Sequence, residues 1–442
     1  MASTTAHPDD DAALCDPEAL ADLARRLQRF DASKDPSWLW PGLSEPARVR
    51  AAQEIQRVTA EMLRGMSRVQ MDPQRHHETY ALAIAAHTTG MGPLLGHWIL
   101  TGRLSAEPAV EARMRAHLEH SRRRNARIER ELHPALDALI RHGVVPVALK
   151  GLHTSRAYFE DPAARRMADV DIWVDERLRE AAEEALRSAE FRPSGTPTEA
   201  HKQEWIAVGI DDTIHSVEVA DAYTKWELEL HTSLVRVFHR GAVAKLDPLL
   251  LRTEPFELAG VRMRVLQPDA LIIMLACHCS AELGSSRLLR LYEIVSIVRS
   301  VQMRDGLDWD GILAQMASLR VAHYTYPAFV LAEALAPGTI DPRALALGER
   351  ASTWAARHTV ARLTPAGGVI DEIGFLRQVM WVRGVDGFLH RIQRLVWPAP
   401  HGRPTNASAS WRTRMRQFRA GLLSLRAPNE RRWHEGTNRD RA

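Results

Sequence analysis

Apolar residues in the first 140 positions recur at helical spacing. Asp16-Pro17-Glu18 opens a run with Leu20, Leu23, Ala24 and Leu27 on one side, the signature of an amphipathic helix with an acidic first turn. The joint Pro36-Ser37-Trp38-Leu39-Trp40-Pro41 interrupts it, since proline cannot continue a helix. Further helices are predicted over 46–66, 77–88, 93–101 and 108–141. The last carries a stripe of Leu118, Ile128, Leu132, Leu136 and Ile140 and stops at Gly143. Beyond Gly143 the period shortens. The continuous apolar run 144–149 suits a buried strand, 152–160 reads as a helix and 169–174 as a second strand. An amphipathic helix is predicted over 176–191, and 216–220 and 226–230 alternate as strands do. From Pro268 the helical period returns through 271–279, 286–299 and 309–319. The central region therefore reads as α/β or α+β.

Composition narrows the class without naming a function. The 442 residues are 45% hydrophobic and 26% charged, as in ordinary globular chains and unlike disordered, collagenous or disulfide-rich ones. No run approaches the ~20 apolar residues of a membrane-spanning helix. The acidic start, residues 1–11, has neither the basic nor the apolar part of a signal peptide. Cys15, Cys277 and Cys279 are too few for a disulfide framework, so reduced thiols in a cytoplasm are expected. Charge is uneven: ten arginines against three acids after residue 400 give a local +7 within a total of +3, leaving −4 on the rest. Such a tail suits an acidic or phosphorylated partner, although a solvated terminus is the plainer expectation.

The chemistry concentrates in Leu149-Lys150-Gly151, Tyr158, Asp161-Pro162, Arg165 and Asp169-Val170-Asp171. Residues i and i+2 of a strand face one side, so Asp169 and Asp171 aim two carboxylates at one place. Paired anions call for a cation between them, and hard Mg²⁺ or Mn²⁺ takes oxygen ligands while leaving positions for phosphate. Gly151, at a strand-to-helix turn, allows close backbone approach to phosphate. Lys150 and Arg165 add positive charge for a triphosphate. In the strand 226–230 and its continuation, Glu227, Glu229 and His231 share a face, making Glu229 the candidate third ligand and His231 either a proton carrier or a structural histidine.

These residues resemble the uncharacterised nucleotidyltransferase family of the polymerase β-like superfamily. Its pattern is L-K-G, then Y-x-D-P-x-x-R-x-x-x-D-I-D, with a later D-L-H matched by Glu229-Leu230-His231. Arg287-Leu288-Leu289 and Leu291-Tyr292-Glu293-Ile294 resemble its R-L-x-W-L-x-D-I stretch. The resemblance spans roughly residues 125–300 and implies an α+β fold. In that fold a small mixed-sheet core, residues 141–266, is flanked by helical domains at 1–140 and 267–400, with the basic tail at 401–442. It also implies Asp169, Asp171 and Glu229 as catalytic metal ligands for Mg²⁺. Lys150, Gly151 and Arg165 would bind nucleotide, and Arg287, Glu293 and His231 would serve the acceptor or proton transfer. The reaction would move a nucleoside monophosphate from an NTP such as ATP to an acceptor, releasing pyrophosphate. The sequence departs from the pattern in three ways: the superfamily's usual Gly-Ser is Lys-Gly-Leu here, as in the family itself; Glu replaces Asp at 229 and 293; and Arg290 stands for Trp.

Two other functions use the same residues. The D-x-D motif would hold the diphosphate of a sugar nucleotide in a glycosyltransferase, although helices rather than a βαβ sheet precede it. A degenerate nucleotide-binding regulator would keep the fold without the reaction. The acceptor is open among small molecules, sugar phosphates, peptides and proteins, with nucleic acid less favoured and no membrane partner expected. Cys277-His278-Cys279 has the wrong spacing for a paired zinc chelate and reads as core. His76, His77, His87 and His97 read as scattered helix residues.

Overall fold

The computed structural model describes residues 17–33, 36–72, 76–195, 201–209, 214, 216–218, 223–238, 242–283, 287–366 and 380–381. The basic tail and Cys15 lie outside them, as do the side chains of His76 and His77. Five helices come first: α1 (Pro17–Ser33), α2 (Glu45–Leu63), α3 (His76–Thr89), α4 (Gly92–Leu100) and α5 (Pro108–Arg141). Two-residue strands β1 (Val69–Gln70) and β2 (Leu104–Ser105) pair between them. The middle of the chain holds β3 (Val147–Ala148), α6 (Leu152–Tyr158), β4 (Val170–Trp173), α7 (Arg179–Ser188), β5 (Phe191–Pro193), β6 (Lys202–Ala207) and β7 (Leu228–His231). Hairpins β8 (Val235–Phe238)–β9 (Ala242–Lys245) and β10 (Thr253–Leu258)–β11 (Val261–Leu266) follow. Helices α8 (Pro268–Ala281), α9 (Arg287–Arg304), α10 (Trp309–Ser318), α11 (Ala322–Leu335), α12 (Pro342–Ala351) and α13 (Trp354–Val360) complete the described chain.

The fold is α+β. Its seven-stranded sheet runs β10-β11-β3-β4-β7-β6-β5, mixed because β3–β11 and β4–β7 are parallel and the other pairs antiparallel. Period-2 alternation decides what each face meets. Ala148, Val170, Ile172, Leu228 and Leu230 join Ile128, Leu132 and Leu136 of α5 and Ala182 and Leu186 of α7 in one buried cluster. Val147 and Leu149, one step out of phase, join a second cluster with α8 and α9. That second cluster also contains Ile55, Leu95 and Met114, so helices before and after the sheet share apolar contacts. Helix α8 is apolar almost all round and is buried accordingly.

Several elements differ from the sequence pattern. The run 144–149 contributes only Val147 and Ala148 as strand, because its neighbours lead into turns. The helix expected over 176–191 is a 3₁₀ turn, Glu176–Leu178, followed by α7, with Phe191 already in β5. Residues 216–218 are not strand, and 219–220 fall outside the described residues. Strand β6 escaped the pattern because Lys202-Gln203-Glu204-Trp205-Ile206 mixes polar and apolar positions without clean alternation. Among the described residues no helix is long and apolar enough to cross a membrane.

Helix α5 positions the acid-bearing strands through one guanidinium. Arg124, 5% exposed, donates Nε to Met167 O at 2.7 Å and Nη2 to Ala168 O at 3.0 Å, just before β4. The same side chain donates to Thr224 O at 2.6 Å and Lys225 O at 3.2 Å, just before β7. Asn125 Nδ2 meanwhile holds Pro162 O and Arg165 O at 3.1 and 3.2 Å. Arg124→Leu strands four carbonyls at once and is expected to cost about 2–4 kcal/mol of stability. Urea denaturation measures it; a loss below about 1 kcal/mol would show that the staple is dispensable.

Candidate active site

Cross-strand register gathers acids that the sequence holds far apart. Asp171 stands opposite Glu229 in the parallel β4–β7 pair, and Glu229 stands opposite Glu204 in the antiparallel β6–β7 pair. Directly opposed residues share a face about 5 Å apart, so three carboxylates form a row across three strands. Asp169, two residues before Asp171, extends the row at its outer end, its side chain 36% exposed against 1% for Asp171.

Cations are threaded through the row. Lys150 Nζ lies 3.6 Å from Asp169 Oδ2 and 3.1 Å from Asp171 Oδ2. His231 Nε2 lies 3.3 Å from Asp171 Oδ1 and 3.4 Å from Glu229 Oε2. Carboxylates only accept, so Nε2–H is the donor. Lys202 Nζ contacts Glu229 Oε1 at 2.7 Å and Glu204 Oε1 at 3.3 Å. The sequence Asp169–Lys150–Asp171–His231–Glu229–Lys202–Glu204 thus alternates in sign.

Burial and charge compete at the two deepest members. Burial alone would raise the Asp171 pKa, but the Lys150 charge, the His231 hydrogen bond and the charges of His231 and Arg236 hold it well below the usual carboxylate range. Burial alone would lower His231, yet hydrogen bonds and charge from Asp171 and Glu229 raise it above the usual imidazole value. Lys202 behaves likewise: burial opposes its charge, and Glu229 and Glu204 outweigh burial.

Gly151 lies at the turn between β3 and α6 with φ +68°, a left-handed conformation that favours glycine. A Cβ there would lie 3.3 Å from Arg165 Nη1. Arg165 is already engaged: Nε and Nη2 donate to Glu293 at 2.7 and 3.3 Å, and Nη1 donates to Arg166 O at 3.2 Å. Thr154 Oγ1 also donates to Glu293. Glu293, 1% exposed, ties α9 to the Gly151 turn from within the core. Burial would raise its pKa, but Arg165, Thr154 and Arg290 lower it. Arg165 likewise supports the turn, and its expected contact with phosphate would require the Glu293 pair to open. The Arg287 side chain lies outside the described residues.

Several residues were not anticipated. Lys202 and Glu204 sit two apart on β6, the same spacing that marked Asp169 and Asp171 and the one signal that pointed to them. Arg290 pairs with Glu282 at 2.7 Å, and Arg236 of β8 acts on Asp171 and His231. Cys277 and Cys279 are fully buried and form no disulfide, burial pushing the Cys277 thiol up.

The donor set suits a divalent metal. Asp171, Glu229 and His231 each offer a ligand atom, all within 4.8 Å of one another. Asp171 Oδ2 is buried and makes no aligned hydrogen bond although Lys150 is close. Asp169 is not in this closest group; it reaches Asp171 through Lys150. Two carboxylates suit Mg²⁺ or Mn²⁺, and an imidazole nitrogen is better tolerated by Mn²⁺.

The model of a protein family described as uncharacterised nucleotidyltransferase matches residues 76–337, more than half of the chain. No curated protein and no solved structure matches it.

The His231 contacts have a pH signature. Because its folded pKa is raised, its contribution to stability is complete below about pH 6.5 and is lost as pH rises through the folded value. Wild-type stability relative to His231→Gln should therefore decline as pH rises above about 6.5 and through the raised folded value. Denaturation curves for both proteins across that range test this, and a constant difference would contradict it.

Proposed function

The chain belongs to the uncharacterised nucleotidyltransferase family, and from that premise we propose that it moves a nucleoside monophosphate from an NTP to an acceptor at the Asp169–Asp171–Glu229 row. The family makes it a transferase of phosphorus-containing groups with an NTP as substrate. The observation that carries the site assignment is the convergence of Asp171, Glu229 and His231 ligand atoms within 4.8 Å, beside Asp169. Nucleotidyltransferases generally use divalent metals; Asp169, Asp171 and Glu229 would hold Mg²⁺, or Mn²⁺ in its place, which when bound neutralises triphosphate charge and orients its oxygens.

The chain's own groups divide the remaining work. His231 donates to buried Asp171 and lies 3.4 Å from half-buried Glu229, and so helps to fix their orientation, a positioning role rather than that of a free proton carrier. Lys150, shared by Asp169 and Asp171, has an ammonium on a flexible stem that can transfer to phosphate oxygens. Gly151 keeps the β3–α6 turn free of a side chain where the triphosphate approaches. Asp169, the most exposed carboxylate of the row, is open to the proton of an acceptor hydroxyl. As the acceptor oxygen bonds to the α-phosphorus, the bond from that phosphorus to the bridging oxygen breaks and pyrophosphate leaves with the electron pair. The acceptor fits best as a small molecule, sugar phosphate, peptide or protein.

Incubation with each NTP and fractionated cell components should release pyrophosphate and label one fraction. Asp169→Asn and Asp171→Asn should each lower the rate by at least about 10³-fold with the fold preserved by circular dichroism. Full activity in either purified variant would refute the assignment. Chelation with EDTA should abolish pyrophosphate release and Mg²⁺ or Mn²⁺ should restore it; activity surviving exhaustive chelation would rule out the metal. Consumption of a sugar nucleotide without pyrophosphate would instead make the protein a glycosyltransferase.

A further inference from the structure

Burial, with the charges of four cations, Arg290, Arg236, Lys150 and Arg165, holds buried His278 near the end of α8 well below the ordinary imidazole value. Three of the four are compensated. Lys150 has Asp169 and Asp171, Arg165 has Glu293, and Arg290 has Glu282. Arg236 is the exception. Its Nε and Nη2 are buried without hydrogen-bond partners, and no carboxylate among the described residues forms an ion pair with it.

Its position follows from its strand. β8 begins four residues after His231 and packs on α8, and Arg236 pairs with Ala244 of β9. Arg236 thus stands five residues past His231, on the strand that links the acid-bearing β7 to the packing against α8. Its charge lowers the pKa of Asp171. Arg236 is half-buried; two buried N–H groups without partners are costly, and the planar fork of a guanidinium matches phosphate oxygens.

We propose that Arg236 is a phosphate-binding residue of this site, its free N–H groups taking oxygens of the part of the nucleotide that leaves as pyrophosphate. This rests on the nucleotidyltransferase reading, which supplies the ligand class; the unpartnered donors supply the residue. No motif of the family resemblance includes position 236.

The test uses the full-length chain with Mg²⁺, titrated calorimetrically with inorganic pyrophosphate, α,β-methylene-ATP and AMP. Arg236→Gln should bind pyrophosphate and the triphosphate analogue at least about tenfold more weakly, with AMP affinity within about twofold of wild type. Arg236→Lys should fall between. Without ligand, Arg236→Gln should melt near the wild-type temperature, since no hydrogen bond of Nε or Nη2 is lost with the side chain. Unchanged pyrophosphate affinity in Arg236→Gln would overturn the proposal, as would a variant that loses stability and all three ligands together, or a wild type that binds no pyrophosphate. If the wild type releases pyrophosphate during transfer while Arg236→Gln binds it normally, only Arg236 is wrong. If Arg236-dependent binding occurs in a protein that transfers no nucleotide, the transferase reading fails and the phosphate site stands.

Discussion

Four carboxylates side by side on one sheet face are the constraint around which this protein is built. Strand spacing puts the cross-strand neighbours Asp171, Glu229 and Glu204 about 5 Å apart, where each adjacent pair repels by roughly 3 kcal/mol at an effective dielectric near 20. Left alone, that row would force protonation or separate the strands. Lys150, His231 and Lys202 prevent this by lying between successive acids. The resulting order of charges keeps Asp171 ionised although it is almost wholly buried. The row is thereby maintained as anions bridged by cations.

The surrounding fold serves this geometry at two points. Arg124 reaches from α5 to the segments entering both β4 and β7, so one side chain sets the approach of Asp169 and of Glu229. On the other flank, Glu293 of α9 grips Arg165 and Thr154 around Gly151. The helical regions on either side of the sheet thus each hold one wall of the site. Their contribution is rigidity: every anchoring contact is buried or half-buried and charge-assisted, the class of hydrogen bond that loses most when a partner is removed.

Much of the organisation was legible before any coordinates. Helix periodicity placed α5 over 108–141, where it lies, and the shift to apolar runs after Gly143 marked the sheet. The i, i+2 spacing put Asp169 with Asp171 and Glu229 with His231 on shared faces, and register then set Asp171 opposite Glu229. Strand β6 was missed because its residues do not alternate, and with it went Lys202 and Glu204. Arg165 and Glu293 were legible as polar residues at family positions, but their mutual pairing was not, because the partners sit on elements separated by the whole sheet.

The sequence by itself determined what is local: which segments are helical, where a glycine must stand, and which acids share a strand face, since these follow from backbone period and sterics within a few residues. Tertiary structure alone decided which cation neutralises which acid, that His231 bridges two carboxylates, that Arg165 is spent on Glu293, and that Arg236 is left with open donors. Those outcomes depend on strand register and helix docking, which bring together side chains far apart along the chain, and no spacing rule in a single segment encodes them.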